Sequence, residues 1–178
     1  ERQNFQMLAN CLSAERWPAA LLLHCHQADF MSEYAQQIMK MLLCRTHSNC
    51  GSCPDCQQIS HGFHNETLVL DASLSERIGI DEISSIQEHL SYQSMDQGAG
   101  GQSEKYRLVV IHGIERCSIQ AANKLLKTLE DLNPNSAVIA TTAALGRLLP
   151  TIRSRFLLWR LPNRAVQRHL PDFITKLL

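Results

Sequence analysis

Four cysteines in the first third of the chain have the spacing of a metal-binding module. They are Cys44, Cys50, Cys53 and Cys56, spaced C-x5-C-x2-C-x2-C. Gly51 and Pro54 lie between them and permit tight turns. Four thiolates can close a tetrahedron around a zinc ion, which leaves no open position and stabilises a loop without doing chemistry. The spacing therefore predicts a structural zinc module over residues 44–56 with these four ligands.

The same cysteines admit other chemistry. A C-x2-C-x2-C run also opens iron–sulfur motifs, so a redox or iron–sulfur protein is an alternative to zinc. Disulfides are disfavoured because the chain has seven cysteines, an odd number, and the other three lie in apolar contexts. Three histidines lie close to the cluster: His47, His61 and His64. Since four cysteines make a complete ligand set, we expect these histidines to be bystanders and the thiols to be reduced.

Two arginines near the carboxyl end could contact a phosphate. They lie two positions apart in the run Thr151-Ile152-Arg153-Ser154-Arg155-Phe156. A planar guanidinium can stabilise the charge on a transferring phosphoryl group, an effect on the order of 10³ to 10⁵ in rate in GTPases. An arginine beside a strand is more commonly a solvated surface charge, so the pair alone does not establish such a role.

The elements that would position these side chains alternate between strands and helices. Apolar residues from Ile119 to Leu132 recur every three or four positions behind the cap candidate Ser118, which predicts an amphipathic helix. Helical periodicity also covers residues 32–43 and a segment that starts near residue 81. Short apolar runs predict buried strands at residues 19–24, 106–111, 137–142 and 156–159. The pattern predicts a doubly wound α/β domain of about five parallel strands.

The succession of helix, strand and arginine turn resembles the clamp-loader branch of the AAA+ ATPases. The matching runs are Asn123-Lys124-Leu125-Leu126-Lys127-Thr128-Leu129-Glu130 and, after the strand, Arg153-Ser154-Arg155. In that family an S-R-C motif supplies an arginine finger to the nucleotide of a neighbouring subunit, and Arg155 occupies the matching place. Phe156 departs from the motif's cysteine. The resemblance covers about residues 3–165 and implies a P-loop NTPase-like (AAA+) three-layer domain with a zinc-binding insertion.

An ATPase of this family needs a phosphate-binding loop after its first strand. Residues 24–32 follow that strand and contain no glycine and no lysine. Glycines let backbone N–H groups wrap the phosphates, and the lysine neutralises their charge. Only Ser32 could serve, and Asp29 would repel a phosphate. We therefore expect a pocket that does not hold ATP productively; an active ATPase with an unusual loop is the alternative.

The second nucleotide-binding element is also altered. The strand at residues 106–111 leads into His112 and Gly113, where a carboxylate pair should hold magnesium. We expect His112 to be a structural histidine and Glu115 a solvated loop acid. With both elements lost and Arg155 retained, the chain resembles a clamp-loader subunit that assists hydrolysis without performing it. Arg155 is then the catalytic residue in trans, while Arg153 is expected to brace the turn or to pair with an acid.

Length and charge agree with one domain. The chain has 178 residues and 44% hydrophobic content, which permits a domain over residues 1–162 and the start of a helical lid domain at 163–178. Lys plus Arg and Asp plus Glu both number 17, so the broad basic surface of a non-specific DNA binder is missing. This neutrality disfavours a stand-alone zinc-dependent nucleic-acid binder. No membrane-length apolar run or signal segment is apparent, and we expect a cytoplasmic protein.

The resemblance also implies partners. Members of the family form hetero-oligomers in which the ATP-binding gamma or tau subunits and a delta subunit would be the neighbours of this chain. The assembled loader opens a sliding clamp and closes it on primed DNA during replication. Zinc is the one cofactor expected, with no membrane contact.

Overall fold

The computed structural model describes residues 17–46, 49–72, 77–91 and 106–161 of the chain. The predicted start of a lid domain at residues 163–178 lies outside the described residues, as does His47 of the cysteine segment. The described part includes all four cysteines of the module and the arginine turn, so each candidate ligand and the candidate finger can be placed.

A five-stranded parallel sheet forms the centre of the described chain. Its strands are β1 (Ala20–His24), β2 (Thr67–Asp71), β3 (Arg107–His112), β4 (Ser136–Thr142) and β5 (Leu157–Arg160). They lie in the order β2-β3-β4-β1-β5, and every pairing is parallel. All strands therefore end on the same side. We call that side, formed by His24, Asp71, His112, Thr142 and Arg160, the carboxyl edge, and the side where the strands begin the amino edge.

Helices connect the strands and return the chain to the amino edge. They are α1 (Ala28–Leu43), α2 (Pro54–Ser60), α3 (Ile80–Ser91), α4 (Ile119–Glu130) and the short α5 (Pro150–Arg153). Two 3-10 turns, Ile114–Arg116 and Leu145–Arg147, follow β3 and β4. Ser118 caps α4, as predicted, because its side chain accepts a hydrogen bond from the Ala121 N–H. Within the described ranges, no helix combines the length and the apolar character needed to cross a bilayer.

Two apolar clusters, one on each face of the sheet, hold the layers together. Helices α3, α4 and α5 pack on one face, where Leu125 is fully buried, and α1 packs on the other, where Met31 is buried. Side chains alternate along β1, so that Leu22 joins the first cluster while Leu21 and Leu23 join the second. The result is the three-layer α/β architecture that the sequence predicts.

Three details differ from the sequence prediction. Helix α1 begins at Ala28, four residues before Ser32, because Met31 in its first turn is buried in the core. The short strand β2 was not predicted individually. Ile119 was assigned to the apolar face of α4, but it is 69% exposed, since the first turn of the helix extends past the sheet.

Candidate functional site

The four cysteines of the predicted module lie together in the structure. Cys44 follows the end of α1, Cys50 and Cys53 lie in the connecting loop, and Cys56 is in α2. Their sulfur atoms all lie within 4.8 Å of one another. The Sγ atom of Cys44 is 3.6 Å from that of Cys50 and 3.9 Å from that of Cys53. Residues far apart on the loop thus converge on one point.

This arrangement of sulfur atoms fits a single tetrahedral metal ion. Zinc–thiolate bonds of about 2.3 Å in a tetrahedron place the sulfurs roughly 3.8 Å apart. The two measured separations from Cys44, 3.6 Å and 3.9 Å, bracket that value. Sulfurs this close leave no room between them for the several metal and sulfide atoms of an iron–sulfur cluster. The donor set therefore fits one thiophilic ion better than a cluster.

The loop backbone explains why the sulfurs can approach one another. Asn49 and Gly51, on either side of Cys50, adopt left-handed conformations with φ of 50° and 72°, which turn the chain sharply at the second cysteine. The N–H of Cys53 donates to Sγ of Cys50, and the N–H of Cys56 donates to Sγ of Cys53, both at 3.4 Å. The Cys53 side chain thereby caps α2. These N–H groups supply partial positive charge where thiolates must form.

The four thiols do not have equal acidity without a metal. The backbone N–H of Cys53, followed by the hydroxyl of Ser52, lowers the pKa of Cys50. Burial raises the pKa of Cys56 to about 12, and neighbouring cysteines add to this effect. A bound cation overcomes the preference of Cys56 for its protonated form, because a metal ion deprotonates a coordinating thiol outright. The module is therefore expected to depend on its metal for four thiolates to coexist.

The histidines beside the cluster have different roles. His64, which was expected not to be a metal ligand, has a side chain that is only 5% exposed and contacts the carboxylate of Asp55. His61 instead stacks against Phe63 in the turn after α2, with ring centroids 6.3 Å apart. Sequence reasoning missed Asp55, although its place between Cys53 and Cys56 could have marked it as a support for the ligands.

The connection where a phosphate-binding loop would lie is short. Strand β1 ends at His24 and α1 begins at Ala28, which leaves only residues 25–27 between them. Ser32, the one hydroxyl that the sequence offered as a magnesium ligand in residues 24–32, lies inside α1 and is exposed. Nδ1 of His24 lies 3.0 Å from the carbonyl oxygen of Thr142, so the strand end is tied to β4. Three residues without glycine cannot wrap a triphosphate.

The end of β3 also lacks the groups of an ATPase. Nδ1 of His112 lies 3.3 Å from Oγ1 of Thr141, and the Gly113 N–H donates to the same oxygen at 3.2 Å. Burial lowers the pKa of His112, partly offset by the charge of Asp71. A neutral, hydrogen-bonded histidine agrees with the structural role predicted for it.

Glu115 is not the solvated acid that the sequence suggested. The residue is only half-buried, yet Oε2 is buried and has no hydrogen-bond partner among the described residues. Its other oxygen, Oε1, accepts a hydrogen bond of 3.4 Å from the Ala143 N–H. The 3-10 turn after β3 folds back against the sheet, and the Glu115 carboxylate links this turn to the segment that follows β4.

Arg155 lies on the surface at the amino edge. Its backbone N–H donates to the carbonyl of Ile152 at 3.1 Å, in the turn between α5 and β5. The side chain is 51% exposed, and Nη2 lies 2.5 Å from Oε1 of Glu130, the last residue of α4. Arg153 was expected to brace the turn or to pair with an acid; among the described residues the ion pair with an acid at this turn is made by Arg155 instead. Sequence reasoning did not single out Glu130.

Comparisons of the sequence give a consistent picture. Residues 1–165 match the family described as "DNA polymerase III, delta subunit". The delta' subunit of DNA polymerase III from Haemophilus influenzae is 31% identical over 134 residues, which are 74% of this chain and 38% of that protein. The Escherichia coli delta' subunit is 28% identical over 158 residues, covering 86% and 45% of the two chains. The chain thus spans less than half the length of these curated relatives.

Solved structures share the fold. A DNA polymerase III gamma subunit-related protein from Thermotoga maritima aligns with a TM-score of 0.59 over 89% of this chain and 45% of that one, at 23% identity. RuvB from the same organism aligns with a TM-score of 0.52 over 90% and 44%, at 13% identity. These structures confirm the P-loop NTPase-like (AAA+) architecture.

Proposed function

The chain belongs to the DNA polymerase III delta subunit family, and on that premise we propose that it is a non-hydrolysing subunit of a clamp loader. In this role Arg155 completes the ATP site of a neighbouring ATPase subunit. The catalytic step belongs to the neighbour, which holds the nucleotide and magnesium. The chain supplies one guanidinium and the surface that carries it.

The position of Arg155 on the sheet carries this proposal. The phosphate pocket of a P-loop fold lies at the carboxyl edge, beyond His24 of β1. Arg155 precedes β5, whose first residue Leu157 pairs with Leu21 and whose last residue Arg160 pairs with His24. Three strand rises of about 3.3 Å, or roughly 10 Å, separate Leu157 from that edge, and Arg155 lies further back still. Arg155 therefore cannot serve its own chain's pocket, and a phosphate that it contacts must belong to another subunit.

The altered pocket supports the non-hydrolysing part of the proposal. The three-residue β1–α1 connection offers neither glycines nor a lysine, and β3 ends in a neutral histidine. An active ATPase would need phosphate and magnesium ligands at both of these positions. Subunits that bind ATP must then be partners. The tau subunit of Bacillus subtilis, 25% identical over 83% of this chain and 25% of its own length, belongs to a related type.

The remaining features of the assembly follow from the same proposal. Gamma or tau subunits and a delta subunit would be the neighbours in the hetero-oligomer. Contact with the sliding clamp and with primed DNA would be made by the whole complex in the cytoplasm. Such a complex is part of the DNA polymerase III holoenzyme, a DNA-directed DNA polymerase.

Zinc is the metal we assign to Cys44, Cys50, Cys53 and Cys56. Four thiolates match a closed structural zinc site, and the sulfur separations suit one ion. The ion would stabilise the loop between α1 and α2 and would take no part in hydrolysis. An iron–sulfur protein, the alternative considered from spacing, would need a wider cavity between the sulfurs.

A pair of neighbouring arginines gives a matched test of the finger. Arg155→Ala should lower ATP turnover by the site that receives the finger by about 10³ or more, while ATP binding to the loader changes less. Arg153→Ala is the control, because Arg153 is exposed, lies two residues away and removes the same charge. Equal turnover of the Arg155→Ala loader and the wild type would exclude the finger assignment.

A further inference from the structure

The backbone that carries each side chain of the Arg155–Glu130 ion pair is anchored in the core. Ile152 and Phe156, on either side of the turn, are 2% and 6% exposed and belong to the core. Glu130 ends α4, whose residue Leu125 is fully buried against the sheet. Two anchored elements therefore meet at the surface, and only the two side chains that bridge them remain free to rotate.

Within the described part of the chain, the ion pair uses only one of the N–H donors of the Arg155 guanidinium. Glu130 accepts one hydrogen bond, from Nη2, whereas an arginine carries five N–H donors. Arg155 is 51% exposed and Glu130 48% exposed, so the pair faces solvent and any neighbouring subunit. The guanidinium can thus donate one hydrogen bond to Glu130 while its other N–H groups donate to a phosphate.

We infer that Glu130 is a positioning residue for Arg155, which holds the guanidinium in the orientation that the neighbour's nucleotide requires. This inference rests on the proposed arginine-finger function. A free arginine side chain has many rotamers, and part of this conformational entropy must be lost when it is ordered at a phosphate. The contact with Glu130 restricts the side chain before the neighbour arrives. Preorganisation of this kind raises turnover without adding a contact to the substrate.

The expected size of the effect is modest. Half-exposed ion pairs contribute little to stability, so the fold should not depend on Glu130. We define Arg155-dependent turnover as the ATP hydrolysis of the assembled loader that is lost in Arg155→Ala. Glu130→Gln should lower this turnover about two- to fivefold, with less than about a twofold change in the KM for ATP.

Two controls separate positioning from other roles. Asp131→Asn removes the same charge at the next residue, which is exposed, and should leave turnover unchanged. In a loader that already carries Arg155→Ala, Glu130→Gln should have no further effect, because positioning acts only through that arginine. Thermal unfolding of Glu130→Gln should match the wild type, and Glu130→Asp should restore part of the lost turnover.

The outcomes are distinguishable. If Arg155→Ala leaves turnover unchanged, the proposed function itself fails. If Arg155→Ala lowers turnover but Glu130→Gln does not, only the positioning role is overturned. A rise in turnover in Glu130→Gln would also overturn it, since the carboxylate would then compete with the phosphate for the guanidinium. If Glu130→Gln lowers ATP turnover by the same factor in the wild-type loader and in the Arg155→Ala loader, its effect is structural and the positioning role is overturned.

Discussion

Nε2 of His64 lies 3.2 Å from Oδ1 of Asp55, which joins α2 to the segment that enters β2. The other ring nitrogen, Nδ1, accepts a hydrogen bond of 3.1 Å from the Glu66 N–H. Oδ2 of Asp55 lies 3.4 Å from Nε of Arg45, which directly follows Cys44. The Asp55 carboxylate therefore connects three segments: α2 of the cysteine module, the residue after Cys44, and the chain that leads into β2.

Asp55→Asn should weaken the metal site without removing a ligand. An amide of the same size loses the charge that attracts Arg45 and one of the two acceptor oxygens. Residues that hydrogen-bond a metal ligand directly commonly change metal affinity 10–100-fold. Asp55 contacts Arg45 and His64 rather than a cysteine, so we expect zinc binding at most about tenfold weaker in competition with a chelator. Asp81→Asn, an exposed acid in the first turn of α3, is the matched control. Unaltered affinity in Asp55→Asn would show that the module stands without this support.

Cys53→Ser should remove a metal ligand, while the serine hydroxyl can still accept the Cys56 N–H and cap α2. Zinc content measured per chain should fall well below one, and chelator-induced loss of the metal should become faster. Cys117→Ser is the control: Cys117 is half-buried and distant in sequence from the module, and desolvation raises its pKa to about 12. Full zinc content in Cys53→Ser would mean that another residue completes the site.

Periodicity was sufficient to predict the elements that depend on burial alone. Residues 137–142 were recognised as a strand because β4 is covered on both faces, and all its residues are buried. The apolar spacing in α4 reflects direct contact with the sheet. Strand β2 was not predicted because it lies at the edge of the sheet, where Val69 is 42% exposed and the other residues of the strand are only half-buried. Without uniform burial an apolar run is harder to recognise. The other edge strand, β5, was predicted because its run at residues 156–159 includes the buried side chains of Phe156 and Trp159.

The candidate site was predictable where chemistry is encoded by spacing. Four cysteines at short intervals can meet without help from distant residues, and they do. The partners of Arg155 and His64 were not predictable in this way. Glu130 lies 25 residues from Arg155, and the two meet only because α4 and α5 pack on the same face of the sheet. Contacts of this kind follow from topology, which residue spacing does not encode.

Two half-buried histidines, His89 and His112, should make the free energy of unfolding depend on pH below neutrality. Burial lowers the pKa of both His89 and His112 in the folded protein. The unfolded chain therefore binds these protons first, at pH values near 6.5. Their contribution is complete above about pH 6.5 and is lost as the pH falls through and below that value.

Denaturant unfolding at pH 7.5 and 5.5 tests this direction. The free energy of unfolding should be smaller at pH 5.5, and His112→Gln should reduce the difference between the two pH values. His26→Gln, which replaces an exposed histidine, is the control for loss of an imidazole. Any acid-induced loss of metal affects wild type and variants alike. The difference between His112→Gln and wild type in this pH dependence therefore reports the contribution of His112. An equal pH difference in His112→Gln and wild type would contradict the prediction.

The isolated chain should not bind ATP with magnesium. Residues 25–27 are too few to surround a triphosphate, and Asp29 in the first turn of α1 adds a repulsive charge. Calorimetry should detect no saturable heat at ATP concentrations that fill the site of an active clamp-loader ATPase subunit, which is the positive control. Asp29→Lys should not restore binding, because a lysine supplies one charge but none of the backbone N–H groups that a glycine-rich loop provides. Micromolar binding by the unaltered chain would instead identify an active nucleotide site, and the proposed division of labour with a neighbouring ATPase would have to be abandoned.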